Sequence, residues 1–318
     1  MIRTDVLIIG GGPAGSSCAR VLKQAGMNCI VLDKSAFPRF KPCAGWITPQ
    51  VLKWAQMDVT GYPYGLTEFT SFDVSIYGFK FKLPTHQYAI RRYEFDRWLL
   101  DRADVEFHIH EAREIRLENG EYVVDGEFSA RYLIGAGGTA CPVQRTFFSS
   151  VSPRVPGSLI VAQEEEFQFD LKDTRCKLWF FQNKLPGYAW YVPKKDGYVN
   201  VGLGGFEGNL KHNGDTLKSH WNYFVKQLEE AGLITGHVYK PAGHSYILRR
   251  RSPQIHVGNA YLAGDSLGLA TLDMGEGIGP AIRSGQLAAE SILTGADYSL
   301  ASIPRYSFPS LLGLRGAK

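Results

Sequence analysis

Six residues near the start of the chain, Gly10-Gly11-Gly12-Pro13-Ala14-Gly15, have the types and spacing to hold a diphosphate. They match G-x-G-x-x-G, and Asp33 stands 18 residues beyond Gly15. In such a segment Gly10 permits a tight turn, Gly12 keeps side chains away from the pyrophosphate, and Gly15 lets a helix pack closely on a strand. The free N–H groups at the helix start then face the diphosphate, and Asp33 can accept hydrogen bonds from ribose hydroxyls. Other reactive groups lie far along the chain. Cys43 sits in a Pro/Gly loop, Lys41-Pro42-Cys43-Ala44-Gly45, and a thiol can serve as acid or base when its environment tunes it. Tyr188 and Trp190 offer either a phenolic proton donor or the walls of an apolar pocket, and walls are the expected role.

These groups need elements to position them. Val6–Ile9 is wholly apolar, as a parallel strand buried on both faces would be. A helix is expected from about residue 14 to 25 and a second strand over 28–32, which makes one βαβ unit. Alternation over 67–83 predicts antiparallel strand pairs, 93–102 a helix, and 105–135 short strands. Beyond Pro153 strands are expected over 158–169, 176–181, 189–192 and 198–203, with a helix over 216–231. A last apolar strand, 260–263, leads to a glycine-rich loop and a helix over 277–293.

The glycine fingerprint alone does not separate FAD from NAD. Two distant segments point to FAD. Gly264-Asp265 follows the last strand, where an Asp can bind the ribityl or diphosphate part of a flavin, and Gly275-Glu276-Gly277-Ile278 opens the last helix. Amides at that helix start can face the flavin edge where negative charge gathers on reduction.

With these residues in place, the sequence resembles the geranylgeranyl reductase family, within the flavoproteins folded like p-hydroxybenzoate hydroxylase. The resemblance runs from Asp5 to about Gly295. It is carried by Gly10–Gly15, Lys41–Gly45, Arg92-Tyr93-Glu94-Phe95-Asp96, Gly264-Asp265 and Gly275–Ile278. Most specific is Pro186-Gly187-Tyr188-Ala189-Trp190-Tyr191-Val192-Pro193 with Gly202-Leu203-Gly204, which is similar to that family's Y-x-W-x-F-P…G-x-G signature. Beside the cofactor contacts at Gly10 and Gly12 that the glycine fingerprint gives, the resemblance implies flavin contacts at Ala14, Gly15, Asp33, Cys43, Ala44, Gly45, Arg92, Asp265, Gly277 and Ile278, with Ala112 as an adenine contact. It implies a substrate cavity bordered by Tyr188, Trp190 and Trp46, and Cys43 as the catalytic side chain to test first. There are departures. Ala44 and Trp46 change the usual P-C-G-G, Val192 replaces a Phe, Gly137 stands where related hydroxylases have Asp, and 23 residues follow Gly295, fewer than usual in the family.

The fold class implied is α/β plus antiparallel β: a Rossmann-type FAD-binding domain with an inserted substrate domain on a mostly antiparallel sheet. The expected boundaries are 1–66, 88–150 and 255–318 for the first domain, and 67–87 with 151–254 for the second. The implied activity is an FAD-dependent reductase delivering hydride from flavin N5 to a carbon–carbon double bond of an apolar, isoprenoid-like substrate. The alternatives are a flavin monooxygenase or halogenase, or a flavin electron-transfer protein acting on a quinone or protein partner. The reductant is expected to be external, NAD(P)H or a redox protein such as ferredoxin, since no second G-x-G-x-x-G follows a strand.

Composition excludes other classes. A net charge of +4 over 318 residues fits an anionic ligand better than nucleic acid, and no basic block alternates with aromatics. The Arg249-Arg250-Arg251 run is expected to be a solvated loop. Five scattered cysteines give neither metal spacing nor a disulfide framework, so reduced thiols and a cytoplasmic location are expected. His86, His108, His110 and His244 are read as surface or core residues, not metal ligands. No run of about 18 apolar residues exists to span a bilayer, which leaves peripheral contact at a membrane surface.

Overall fold

A wholly apolar strand needs partners and cover on both faces, and Val6–Ile9 finds them at the centre of a parallel sheet. The computed structural model describes residues 1–153, 159–249 and 254–312. In chain order the first part comprises β1 (Ile2–Ile9), α1 (Pro13–Gln24), β2 (Cys29–Asp33), β3 (Trp46–Ile47), α2 (Pro49–Trp54), β4 (Thr67–Ile76), β5 (Phe79–Ala89) and α3 (Arg92–Asp101). Next come β6 (Glu106–Ile109), β7 (Ile115–Glu118), β8 (Glu121–Val124), β9 (Phe128–Gly135), β10 (Leu159–Gln168), β11 (Cys176–Phe180), β12 (Gly187–Pro193) and β13 (Tyr198–Phe206). The chain closes with α4 (Glu207–His212), α5 (Leu217–Glu230), β14 (Ala242–Ile247), β15 (His256–Val257), β16 (Ala260–Leu262), α6 (Ile278–Thr294) and α7 (Phe308–Leu311).

Two sheets result. The first has the order β15-β16-β9-β1-β2-β6, parallel from β16 to β6, with β7 and β8 continuing antiparallel from β9. Its core joins β1, β2 and β9 to α1 and α6 through side chains such as Leu7, Ile8, Leu22, Leu133 and Ala288. The second has the order β14-β10-β13-β12-β11-β4-β5-β3 and is antiparallel except between β11 and β4. Helix α5 covers one face of it with Trp221, Phe224 and Leu228 against Tyr191, Val201 and Leu203. The chain leaves the first sheet between β2 and β6, where β3, β4 and β5 arise, and again between β9 and β15, so the second sheet is built from two insertions in a Rossmann-type fold. Trp46–Ile47 and the end of β5 at Tyr88–Ala89 pair in the second sheet, although the sequence grouped both with the first.

Sequence periodicity missed α2, α4 and β14. The first two have only six residues each, too short for a clear apolar stripe. The arginine run also needs correction. The half-buried Arg249 donates to the carbonyls of Leu300 (3.1 Å) and Ile303 (3.4 Å), tying the C-terminal segment to the body. Arg250 and Arg251, like Ser158 at the expected start of β10, lie outside the described residues.

Candidate active site

The carboxyl ends of the first sheet's strands meet the uncovered face of the second sheet around a cavity of about 820 Å³. This is the size of a cofactor pocket. Gly10, at φ +112°, makes the turn after β1, and a Cβ there would lie 2.4 Å from the Ala136 carbonyl oxygen. A Cβ on Gly15 would lie 1.9 Å from the Gly10 oxygen, so glycine is what allows α1 to start so close to β1. Gly12, the N-cap of α1, makes no side-chain cap bond, and helix α6 likewise begins at Gly277 without one. Gly12 and Ala14 with Gly277 and Ile278 line the cavity, so two helix N-termini face one space. Their partial positive charges suit a diphosphate and an electron-rich ring edge.

Cations strengthen this field. Arg92 is buried and grips Asp96 through two hydrogen bonds of 2.6 and 2.8 Å, while Arg39 approaches the same carboxylate at 3.4 Å. Burial opposes the Arg92 charge, but Asp96 holds its pKa above the ordinary value. Two guanidiniums thus share one carboxylate and leave a net positive charge at the wall. Asp33 accepts from the Gly11 N–H (2.8 Å) and the Ser35 N–H (3.0 Å), pinning the glycine turn from the end of β2. Ala112 lines the same cavity as Asp33, and Asp265 sits against the start of α6.

The opposite wall follows from strand register. Tyr188 and Trp190 of β12 lie opposite Gly204 and Gly202 of β13, which lie opposite Ala162 and Glu164 of β10. Residues paired in this way share a face. A Cβ on Gly202 would fall 2.4 Å from the Trp190 ring and 2.7 Å from the Glu164 Cβ, so the glycine makes room for both side chains. The Tyr188 hydroxyl donates to the Met274 carbonyl at 2.7 Å, and burial raises its pKa well above the usual phenol. Trp190 donates to Asn200 (2.7 Å), and Trp46 donates to Gln87 (3.0 Å) while packing edge-on against Phe72. All three aromatic side chains are therefore fixed as walls.

Between the two walls stands Glu164. Its Oε1 accepts from the Cys43 N–H and from the Asn200 amide, while Oε2 is buried without a hydrogen-bond partner. Burial pushes its pKa up from the ordinary 4.5 to about 7, against the lowering effects of Asn200 and Lys194. Neighbouring Glu165 points to the other face and pairs with His237, whereas Glu166 is neutralised by Lys194 and Arg91. Cys43 itself is half-buried, its backbone held between Glu164 and Asn200.

Of the residues singled out from sequence, Gly10, Gly12, Ala14, Asp33, Cys43, Ala44, Trp46, Arg92, Ala112, Tyr188, Trp190, Asp265, Gly277 and Ile278 all line this cavity. Gly15 and Gly45 do not reach its wall. They hold the backbone behind it, Gly45 at φ +70° with no room for a Cβ beside the Ile90 oxygen. The sequence reading missed Glu164, Arg39 and His244. The run Gln163-Glu164-Glu165-Glu166 reads as solvated charge unless a strand period of two is imposed on it. His244 corrects a surface-or-core expectation, since it lines the cavity as a neutral ring, burial and the cations of Lys41 and Arg92 pushing its pKa down to about 3. Among the described residues no His, Cys, Asp and Glu cluster is arranged to hold a metal.

Comparison with known proteins agrees with this geometry. The family described as FAD binding domain matches residues 3–56. An uncharacterized protein of Methanosarcina barkeri is 32% identical over 312 residues, covering 92% of this chain and 75% of its own length. Digeranylgeranylglycerophospholipid reductase 2 of Methanopyrus kandleri is 32% identical over 237 residues, covering 67% of this chain, which spans only 57% of that relative. The crystal structure of a geranylgeranyl bacteriochlorophyll reductase-like protein from Thermoplasma acidophilum superimposes with a TM-score of 0.78 at 22% identity, covering 94% of this chain and 81% of that one.

Proposed function

This chain belongs to the geranylgeranyl reductase family of FAD-dependent oxidoreductases, and from that membership we propose that it saturates a carbon–carbon double bond in an apolar, isoprenoid-like substrate. The observation that carries the reading is the shared cavity, where a dinucleotide crevice on one side faces an aromatic wall and the buried carboxyl of Glu164 on the other; Glu276, whose pKa burial also raises to about 7, lines the crevice beside the start of α6 and is tied to the Gly279 N–H.

The residues present fit FAD. Gly12 leaves space at an uncapped helix start, Arg92 and Arg39 supply positive charge for the diphosphate, and Asp33 faces the ribose position. The start of α6 with Asp265 would serve the flavin end, and Cys43-Ala44 would border the ring. Bound FAD supplies the hydride, and the reductant that restores it is external, NAD(P)H or a redox protein. Tyr188, Trp190 and Trp46 would hold the apolar substrate and exclude water. Saturation needs a proton as well as a hydride. With a pKa near 7, Glu164 carries a proton in about half of the molecules at neutral pH, and its free Oε2 is where that proton would be held. It would be delivered to the substrate carbon directly or by way of the adjoining Cys43 thiol. Tyr188, with its hydroxyl bound to Met274, would remain a wall.

The test is anaerobic. The FAD-loaded protein is reduced without oxygen and then mixed separately with prenyl substrates, with oxygen or with quinones, and products are identified by mass spectrometry. Reoxidation by prenyl substrate with two hydrogens gained per double bond supports the reading. Hydroxylated product formed only with oxygen, or reoxidation by quinone alone, overturns it. A lipid-like substrate also implies peripheral contact with the bilayer holding it, and no helix of the described residues is long and apolar enough to cross one.

A further inference from the structure

The apolar wall does not stop at the cavity. Strand register places Tyr188, Phe180, Ile76 and Phe79 side by side across β12, β11, β4 and β5, with Trp190, Leu178, Val74 and Phe81 in the adjacent row. Both rows lie on the face opposite α5 and run from the cavity to the tip of the β4–β5 hairpin. At that tip the cover ends. Phe79 is 81% exposed and Tyr77 70%, and Phe81, Ile76 and Phe181 are exposed as well. Tyr77 stacks on Phe181 with ring centroids 5.0 Å apart, and Phe180 stacks on Tyr188 at 5.1 Å, so ring contacts link the tip to the cavity wall.

Two features show that this tip is not ordinary hairpin surface. The two-residue turn Tyr77-Gly78 has φ of +49° and +90°, positions that favour Asn and Gly, yet the first holds a bulky tyrosine. Phe181 is likewise left-handed, at φ +56°. Backbone strain is thus accepted to present aromatic rings to the outside. The charge is also one-sided. Residues 76–84 and 180–187 contain Lys80, Lys82 and Lys184 and no carboxylate.

We propose that this aromatic tip is a docking surface for an anionic lipid bilayer, set so that a lipid-like substrate passes from the membrane along the apolar rows to the cavity. The inference rests on the apolar-substrate reading for its purpose, but the surface is testable by itself. Exposed aromatics flanked by lysines match the boundary between acyl chains and anionic headgroups. A second copy of the chain fits less well, because five exposed apolar side chains, on the β4–β5 hairpin and at the end of β11, fall well short of the 20–30 residues per side of a stable interface.

The test is flotation of the FAD-loaded protein with vesicles of phosphatidylcholine alone or with 30% phosphatidylglycerol. Binding to anionic vesicles should be about 100-fold tighter, roughly fivefold per lysine, and should fall with salt. The triple variant Tyr77→Ser/Phe79→Ser/Phe81→Ser should lose at least tenfold in binding and keep its flavin absorbance. It should lose turnover of substrate carried in vesicles by at least tenfold more than turnover of detergent-dispersed substrate. Lys80→Gln/Lys82→Gln/Lys184→Gln should remove the preference for anionic vesicles. The proposal is overturned if the wild-type protein ignores anionic vesicles, or if the aromatic variant binds as wild type does. It is equally overturned if wild type is dimeric without vesicles and the aromatic variant is monomeric. Failure of the reductase reading would look different, with vesicle binding intact and no prenyl substrate reduced in either form.

Discussion

Replacing Glu164 by Gln should stabilise the protein at alkaline pH and cripple its reaction, and both effects follow from one buried carboxyl. Burial raises the Glu164 pKa from 4.5 in the unfolded chain to about 7 in the folded one. The folded state therefore binds this proton more tightly than the unfolded state does. Its contribution is fully favourable below pH ~4.5 and is lost as pH rises through ~7, where the buried anion costs about 3 kcal/mol. Gln keeps an acceptor for the Cys43 N–H and the Asn200 amide but carries no charge at any pH. The variant should match wild type near pH 4.5 and exceed it by up to ~3 kcal/mol at pH 8. With an unfolding entropy of ~2.1 cal/mol/K per residue, a chain of 318 residues gains about 1.5 °C per kcal/mol. The expected rise in Tm at pH 8 is about 4–5 °C, measured by calorimetry on FAD-saturated protein at pH 5, 6, 7 and 8. Single-turnover reduction of a prenyl substrate should fall about 10²–10⁴-fold, and the decline of rate above pH ~7 should vanish. Equal stabilities at pH 8 would refute the cost assigned to the buried anion. An unchanged rate and pH profile would refute the proton role.

Further outcomes follow from the same geometry. Asp33→Asn leaves one oxygen to serve both the Gly11 and Ser35 amides, so FAD should bind about tenfold more weakly by fluorescence titration, with the fold intact by circular dichroism. Tyr188→Phe loses only the bond to Met274, costing about 1 kcal/mol of stability in urea and changing the single-turnover rate less than about threefold. A hundredfold loss there would move the proton from Glu164 to Tyr188. Gly202→Ala puts a methyl 2.4 Å from the Trp190 ring and should lower stability by several kcal/mol, read as a drop in Tm, or displace the ring enough to quench substrate binding.

The sequence by itself determined the dinucleotide half of this site because its constraints are local. A turn that excludes every Cβ near Gly10 and Gly15 can be met only by glycine, and strand, turn, helix and Asp33 are contiguous in the chain. Gly264-Asp265 and Gly275–Ile278 were legible for the same reason, the first directly following a strand and the second directly opening a helix. The tertiary structure alone decided what faces the cofactor crevice. Glu164, Trp190 and Gly202 come from three strands, and only their register puts them on one face. A slip of one residue in β10 would turn Glu164 toward α5 and bring Glu165 into the cavity. Side-chain type alone gave no reason to place Glu164 in the site. Its burial, its raised pKa and its contact with the Cys43 loop 121 residues away are properties of the sheet that closes over it.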